Sequence, residues 1–113
     1  MIYRSNKYGS RKVTTATGQT FDSVREYRRF CELNLMQRAG VISDLKCQVK
    51  YELIPSQRVD GRVVEKACTY IADFVYKKDG QTVVEDAKGH KTEVYKIKKK
   101  LMLYVHGIRI TEV

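Results

Sequence analysis

Three side chains in this chain have the types and the spacing for phosphodiester chemistry. Asp73 and Asp86 lie on either side of the dipeptide Asp79-Gly80, and Lys88 follows two residues after the second acid. Asp-Gly between two runs rich in β-branched and aromatic residues is the chemistry of a two-residue type I′ hairpin, whose turn residues both take positive φ. A hairpin closed there fixes the register. Lys78 faces Gln81, Val75 faces Val84, Asp73 faces Asp86 and Ile71 faces Lys88. Strand alternation then puts Ile71, Asp73, Val75, Val84, Asp86 and Lys88 on one face.

Two carboxylates placed directly across a strand pair repel, with Cβ atoms about 4.5–5.5 Å apart. A divalent cation between them reverses the sign of the interaction. Mg²⁺ takes one or two carboxylates and completes its shell with water and phosphate oxygens. A neighbouring lysine can stabilise negative charge as it develops. Acid, acid and lysine together make a metal-assisted phosphodiester site. The same residues also fit a plainer arrangement, a solvated sheet face on which Asp73 pairs with Lys88, because charged residues mostly sit exposed.

The elements that must hold these groups are readable from period and punctuation. The hairpin strands are expected over Thr69–Lys78 and Gln81–Lys88. Before them, Leu45, Cys47, Val49, Tyr51 and Leu53 alternate with polar residues and predict a strand with one apolar face. Between that strand and the hairpin, Pro55–Arg62 is expected to be a loop turning at Asp60-Gly61. Val63 onward leads into a long hairpin strand with room for a bulge. Upstream, Ser23 and Glu26 form an S-x-x-E capping box, and Val24, Tyr27, Phe30, Cys31 and Leu35 recur at helical steps, predicting a helix over Phe21–Ala39 that stops at Gly40. Arg25, Arg28 and Arg29 lie on its polar face. Downstream, Thr92 is an N-cap and Gly107 a stop for a helix with Val94, Ile97, Leu101 and Tyr104 inward, and Lys96, Lys98, Lys99 and Lys100 outward. Ile108–Val113 is expected to be a terminal strand, reached by a right-handed crossover and parallel to 82–88.

Composition narrows the class. The 113 residues suffice for one domain with a modest core. Expected is an α+β domain over 21–113, a mixed sheet flanked by helices, preceded by a basic, loosely ordered arm over 1–20. That arm interleaves Arg4, Lys7, Arg11 and Lys12 with Tyr3 and Tyr8. It either follows a phosphate backbone or is a frayed terminus. Apolar residues make up 42% and charged residues 31%, and no run approaches the ~18 apolar residues of a membrane span. MIYRSNKYGSRK has no apolar signal region, which points to the cytoplasm. Cys31, Cys47 and Cys68 lack CxxC spacing and read as unpaired thiols in a reducing compartment. Lys and Arg number 22 against 13 Asp and Glu, a net charge of +9 that suits a polyanionic partner, most often nucleic acid. No Ser/His/Asp set or glycine-rich phosphate loop is present. His90 lies just beyond the acids, within reach of a phosphate, and His106 is placed to cap a helix C-terminus.

The order helix, three strands, helix, strand, with an acid on the second strand and D-x-K on the third, resembles the PD-(D/E)XK nuclease core. Ala72-Asp73 matches the first half of the motif, with alanine where the signature has proline, and Asp86-Ala87-Lys88 matches the second. FDSVREYRRF, AGVISDL, YIADFVY, VVEDAKG and KKKL also resemble a family of small phage proteins assigned to the same superfamily. The resemblance implies a restriction-endonuclease-like fold and a Mg²⁺- or Mn²⁺-dependent DNA endonuclease. It assigns the metal to Asp73, Asp86 and the Ala87 carbonyl, with Glu26 as a further acid from the first helix, and gives Lys88 a catalytic role. Glu26 therefore has two compatible readings, helix cap and metal-site acid. Gln48, Lys91, Lys98 and Lys99, with Arg25 and Arg29 on the first helix, are the candidate nucleic-acid contacts. The implied substrates are duplex or branched DNA in phage DNA processing in the host cytoplasm, as for Holliday-junction resolvases; a resolvase needs two coordinated sites and so a homodimer. No membrane and no small-molecule cofactor beyond the metal is expected. Two other classes remain open: a non-catalytic nucleic-acid-binding module, and an interaction protein whose hairpin face is merely solvated.

Overall fold

The computed structural model describes residues 2–5, as backbone, and 11–113. In chain order the elements are β1 (Ile2–Ser5), β2 (Arg11–Thr14), β3 (Thr20–Phe21), α1 (Val24–Arg38), β4 (Ser43–Ile54), β5 (Gln57–Val59), β6 (Arg62–Glu65), β7 (Cys68–Lys78), β8 (Gln81–Asp86), α2 (Glu93–His106) and β9 (Thr111–Glu112). It is a small α+β domain. Its central sheet has the order β4-β7-β8-β9, antiparallel except for β9, which runs parallel to β8.

The hairpin β7–β8 turns at Asp79 (φ 51°) and Gly80 (φ 76°), as the dipeptide requires. Its register is the expected one from Lys78↔Gln81 through Val75↔Val84. The ladder stops at Phe74↔Glu85, so neither the expected Asp73–Asp86 pairing nor the Ile71–Lys88 pairing is made. The cause is local. The Asp73 carboxylate takes the Ala87 N–H at 2.8 Å, a donor that a continuing ladder would have used.

Both helices begin where their caps lie. Ser23 Oγ accepts from the Glu26 N–H at 3.0 Å, and Thr92 Oγ1 accepts from the Tyr95 N–H at 3.1 Å. Gly107, at φ 67°, ends α2. The inward face of α2 differs from expectation. Tyr95 and Met102 are buried, while Val94, Ile97 and Tyr104 are 61%, 57% and 88% exposed. Lysines flank either possible stripe, so spacing alone does not choose between them. Tyr95 can go inside because its hydroxyl finds Glu112 at 2.8 Å. His106 does not cap the helix either. Its Nε2 lies 2.6 Å from the Glu52 carbonyl oxygen and its ring meets Tyr51 edge-on, tying the end of α2 to β4.

Two cores sit on the sheet. Under α1 lie Val13, Phe21, Leu33, Ile42, Phe74 and Tyr76. Under α2 lie Leu53, Tyr70, Ala72, Val84, Tyr95, Met102 and Ile110. The alternating residues of β4, expected on one face, are shared between them: Leu45 and Cys47 join the first, Tyr51 and Leu53 the second. β7 divides likewise between 72 and 74. At the changeover stands Gln48, with φ 56°, between the pairs Cys47↔Phe74 and Val49↔Ala72. A left-handed residue inside a strand resets the alternation, and for glutamine it is strained.

Two other expectations are corrected. The N-terminal segment is not a loose arm where described: β1, β2 and β3 form a sheet, and Val13 is fully buried beneath α1. Lys7 and Tyr8 lie outside the described residues. The segment expected as a loop at Pro55–Arg62 is instead a ribbon, β5–β6, turned by Asp60 (φ 51°) and Gly61 (φ 77°). Every residue from 54 to 67 is exposed. Cys31, Cys47 and Cys68 are unpaired and half-buried. Among the described residues, no helix is long and apolar enough to cross a membrane.

Candidate active site

The acids on the hairpin converge, and α1 brings a third beside them. Asp86, at the end of β8, is 1% exposed. Its Oδ2 accepts from the Tyr70 hydroxyl, while its Oδ1 is buried without a hydrogen-bond partner. Lys88 Nζ stands 3.8 Å from that oxygen and over the Tyr95 ring, 5.4 Å from its centroid. Asp73 is fixed by the Ala87 N–H, and its Oδ1 is 3.5 Å from Gln48 Nε2. The same Gln48 nitrogen donates to Glu26 Oε1 at 2.9 Å. Glu26, in the first turn of α1 and 3% exposed, accepts through Oε2 from the Asp22 N–H at 3.3 Å. Its side chain reaches the N–H before the cap residue rather than that of Ser23, so only the Ser23 half of the expected capping box is made. The left-handed turn at Gln48 coincides with the point where its amide spans two acids of the site.

Burial and mutual repulsion mark these carboxyls electrostatically. Burial, then the charges of Asp73 and Asp22, push Glu26 up to about 8. Burial, then Asp86, raise Asp73 to about 6. Burial raises Asp86 too, against the Tyr70 hydrogen bond and the Lys88 charge. Cys47, half-buried beside Glu26 and Asp73, is also raised, chiefly by burial. Of the three acids, Asp73 borders a cleft of about 330 Å³, together with Gln48, Ile71, Lys88, Val94 and Lys98; Asp86 and Glu26 lie buried behind it.

The donor set suits a hard divalent cation. A buried carboxylate oxygen has no hydrogen bond and only a long ion pair to Lys88, and three acids are held close at the cost of raised pKa values. Among the described residues, no group of three or more His, Cys, Asp or Glu side chains is placed to hold a metal ion, so an ion here would rest on two carboxylates. Tyr70, the Ala87 N–H and Gln48 each hold one of the carboxylate oxygens. Two carboxylates with the rest of the shell left to water and phosphate is the usual Mg²⁺ arrangement. Asp73 and Asp86 would hold such an ion, with Glu26 behind them. Ala87 is buried, and its N–H is taken by the Asp73 carboxylate.

The expected nucleic-acid contacts divide. Lys98 and Gln48 border the cleft. Lys91 and Lys99 do not; both pair with Glu112, at 3.4 and 3.0 Å, on the other flank of α2. Arg25 is exposed and donates to the Val113 carbonyl oxygen at 3.4 Å. Arg29 is corrected outright. Its Nε and Nη2 bind the buried Glu85 at 2.8 and 2.7 Å, and its Nη1 binds Glu32 at 2.8 Å, so all three nitrogens are engaged. Tyr70, which orients Asp86, was not anticipated. It lies at an even position of β7 and Asp73 at an odd one, and only the changeover at Gln48 turns both toward the cleft.

A family model described as a protein of unknown function, DUF1064, matches residues 5–111, and the chain belongs to that family. No curated protein and no solved structure matches it.

Proposed function

We propose that this DUF1064 protein is a divalent-metal-dependent endonuclease that hydrolyses phosphodiester bonds in DNA, with Mg²⁺ or Mn²⁺ held at Asp73 and Asp86. The observation that carries the reading is the Asp86 carboxylate: buried, one oxygen without a hydrogen bond, and crowded by Asp73 and Glu26 with a single ammonium group, Lys88, 3.8 Å away. Buried like charges are unfavourable unless something positive joins them. A divalent ion there would act as a Lewis acid on the scissile phosphate and lower the pKa of an attacking water.

The chain's own groups do the rest. Tyr70 holds Asp86 by Oδ2 and leaves Oδ1 toward Lys88. The Ala87 N–H fixes Asp73, and Gln48 keeps Glu26 beside it. Lys88, 39% exposed, is placed to meet negative charge developing on the phosphate. Lys98 on the rim, within a chain of net charge +9, draws the polyanion in. The resemblance to phage nucleases favours branched DNA in the host cytoplasm as substrate, and a junction-resolving activity would require a homodimer.

The test is cleavage of a labelled four-way junction and a matched linear duplex, with Mg²⁺, Mn²⁺ or chelator, by wild type and Asp86→Asn. The expected result is metal-dependent cleavage by wild type, lowered roughly 10²–10³-fold in the variant, with DNA binding retained. Equal cleavage by both proteins overturns the assignment. Tight DNA binding with no cleavage by either replaces it with a non-catalytic nucleic-acid-binding module.

A further inference from the structure

Helix α2 separates the carboxylate cleft from a second and larger one, about 520 Å³ in volume. Val94 and Lys98 border the first cleft, while Lys96, Lys99 and Leu103 border the second. The second cleft is rich in cations. Three of these are already balanced: Lys91 and Lys99 by Glu112, and Lys96 by Glu93 at 3.0 Å. Lys100 and Arg109 are exposed and have no ion-pair partner among the described residues. Beside them the wall is apolar and open to water: Ile97 is 57% exposed and Leu103 55%. Tyr104, at 88% the most exposed large apolar side chain described, lies outside the cleft's lining, one turn beyond Lys100 on the same helix.

An apolar stripe with an outward aromatic, edged by unpaired cations, matches a ligand that alternates flat apolar faces with negative charges. Single-stranded nucleic acid has that chemistry. Its bases stack on aromatic and apolar side chains and its phosphates track the cations, whereas a duplex keeps its base faces inside. We propose that the second cleft of α2 holds an unpaired strand of nucleic acid, with phosphates against Lys100 and Arg109 and bases against Ile97, Leu103 and Tyr104. The proposal rests on the nuclease reading for the identity of the ligand, and it narrows the substrate class to DNA with a single-stranded arm. The cut strand occupies the carboxylate cleft and the unpaired arm crosses to the far side of α2.

The test is fluorescence anisotropy in Ca²⁺ with three labelled probes: an oligothymidylate, a blunt duplex, and the same duplex with an oligothymidylate tail. Wild type should bind the tailed duplex more tightly than the blunt one. In Lys100→Gln/Arg109→Gln that advantage should vanish. The dependence of log affinity on log salt for the oligothymidylate should become shallower by about 1.4, two contacts at about 0.7 each. Tyr104→Ala should weaken oligothymidylate binding roughly tenfold, the worth of one modest stacking contact. All three positions are exposed, so these variants should fold. No preference for the tail in wild type, or equal losses on tailed and blunt duplexes, overturns the proposal. So does a Tyr104→Ala protein that changes only its sedimentation, since the stripe would then be a contact between copies. An inactive protein that still prefers the tail would sink the nuclease reading alone. An active one without the preference would sink this proposal alone, and a protein that binds no DNA would sink both.

Discussion

Arg29 grips Glu85 with two nearly parallel hydrogen bonds, Nε to Oε1 at 2.8 Å and Nη2 to Oε2 at 2.7 Å, and the carboxylate is 1% exposed. Tyr76 donates its hydroxyl to the same group. Removing one member of a buried pair leaves the other charge unpaired, at about 3–5 kcal/mol. Arg29→Ala should therefore lower the urea midpoint severely. Arg29→Met combined with Glu85→Leu and Tyr76→Phe should recover most of that loss, because apolar side chains of similar volume then replace both charges and the hydroxyl that Glu85 accepts from. A phosphate-contacting arginine would behave otherwise, with intact stability and weakened DNA binding.

Stability of the metal-free protein should fall as pH rises. Glu26 has an ordinary value of 4.5 and is raised to about 8, and Asp73 has 3.8 and is raised to about 6. Between those limits the folded chain holds more protons than the unfolded chain, so each group destabilises progressively with increasing pH. The effect is absent below both ordinary values and complete above about 8. Thermal melts should show the decline between about pH 5 and pH 8. Glu26→Gln should flatten its upper part. Saturating Mg²⁺ or Mn²⁺ should raise the melting temperature more at the alkaline end, where the ligands are deprotonated.

Lys88→Ala should leave the fold intact, because the side chain is 39% exposed. Cleavage should drop roughly 10²–10³-fold. The lysine also holds down the pKa values of Asp73 and Asp86. Without it, the acidic limb of the pH–rate profile should move to higher pH. Loss of rate with no movement of that limb would mean that the ammonium group acts on the substrate alone.

Val13→Ala should destabilise the domain by about 1.5–3 kcal/mol, the worth of a fully buried valine, since Val13 has no exposed surface. Urea denaturation followed by circular dichroism measures it. A loosely ordered arm would show no change.

The sequence disclosed the parts of the fold that depend on local chemistry. Asp79-Gly80 set the hairpin register, Ser23 and Thr92 set the helix starts, and the pattern around Gly107 placed the crossover to β9. That register, continued, pairs Asp73 with Asp86; the ladder ends one residue short of them, and Asp73 takes the Ala87 N–H instead. The ribbon β5–β6 carries the same Asp-Gly signal at 60–61, but its strands lack the alternation that a buried face imposes, since no face of it is buried. The inward face of α2 is not legible from spacing, because apolar residues lie all round that helix and the choice depends on Glu112 meeting Tyr95, a contact 17 residues apart. Arg29 looked like one more surface arginine, and only the partner at Glu85, 56 residues away, assigns it to the interior. Tyr70 was hidden by period-two alternation, which fails where Gln48 departs from strand geometry.

The β5–β6 ribbon stands clear of both cores, and its tip at Asp60-Gly61 turns in open solvent. The tip is therefore a natural handle: a dye, an affinity peptide or a tether to a surface can be grafted there, because exposed turns of this kind tolerate insertion. Single molecules could then be immobilised or watched without touching either helix or the acids between them.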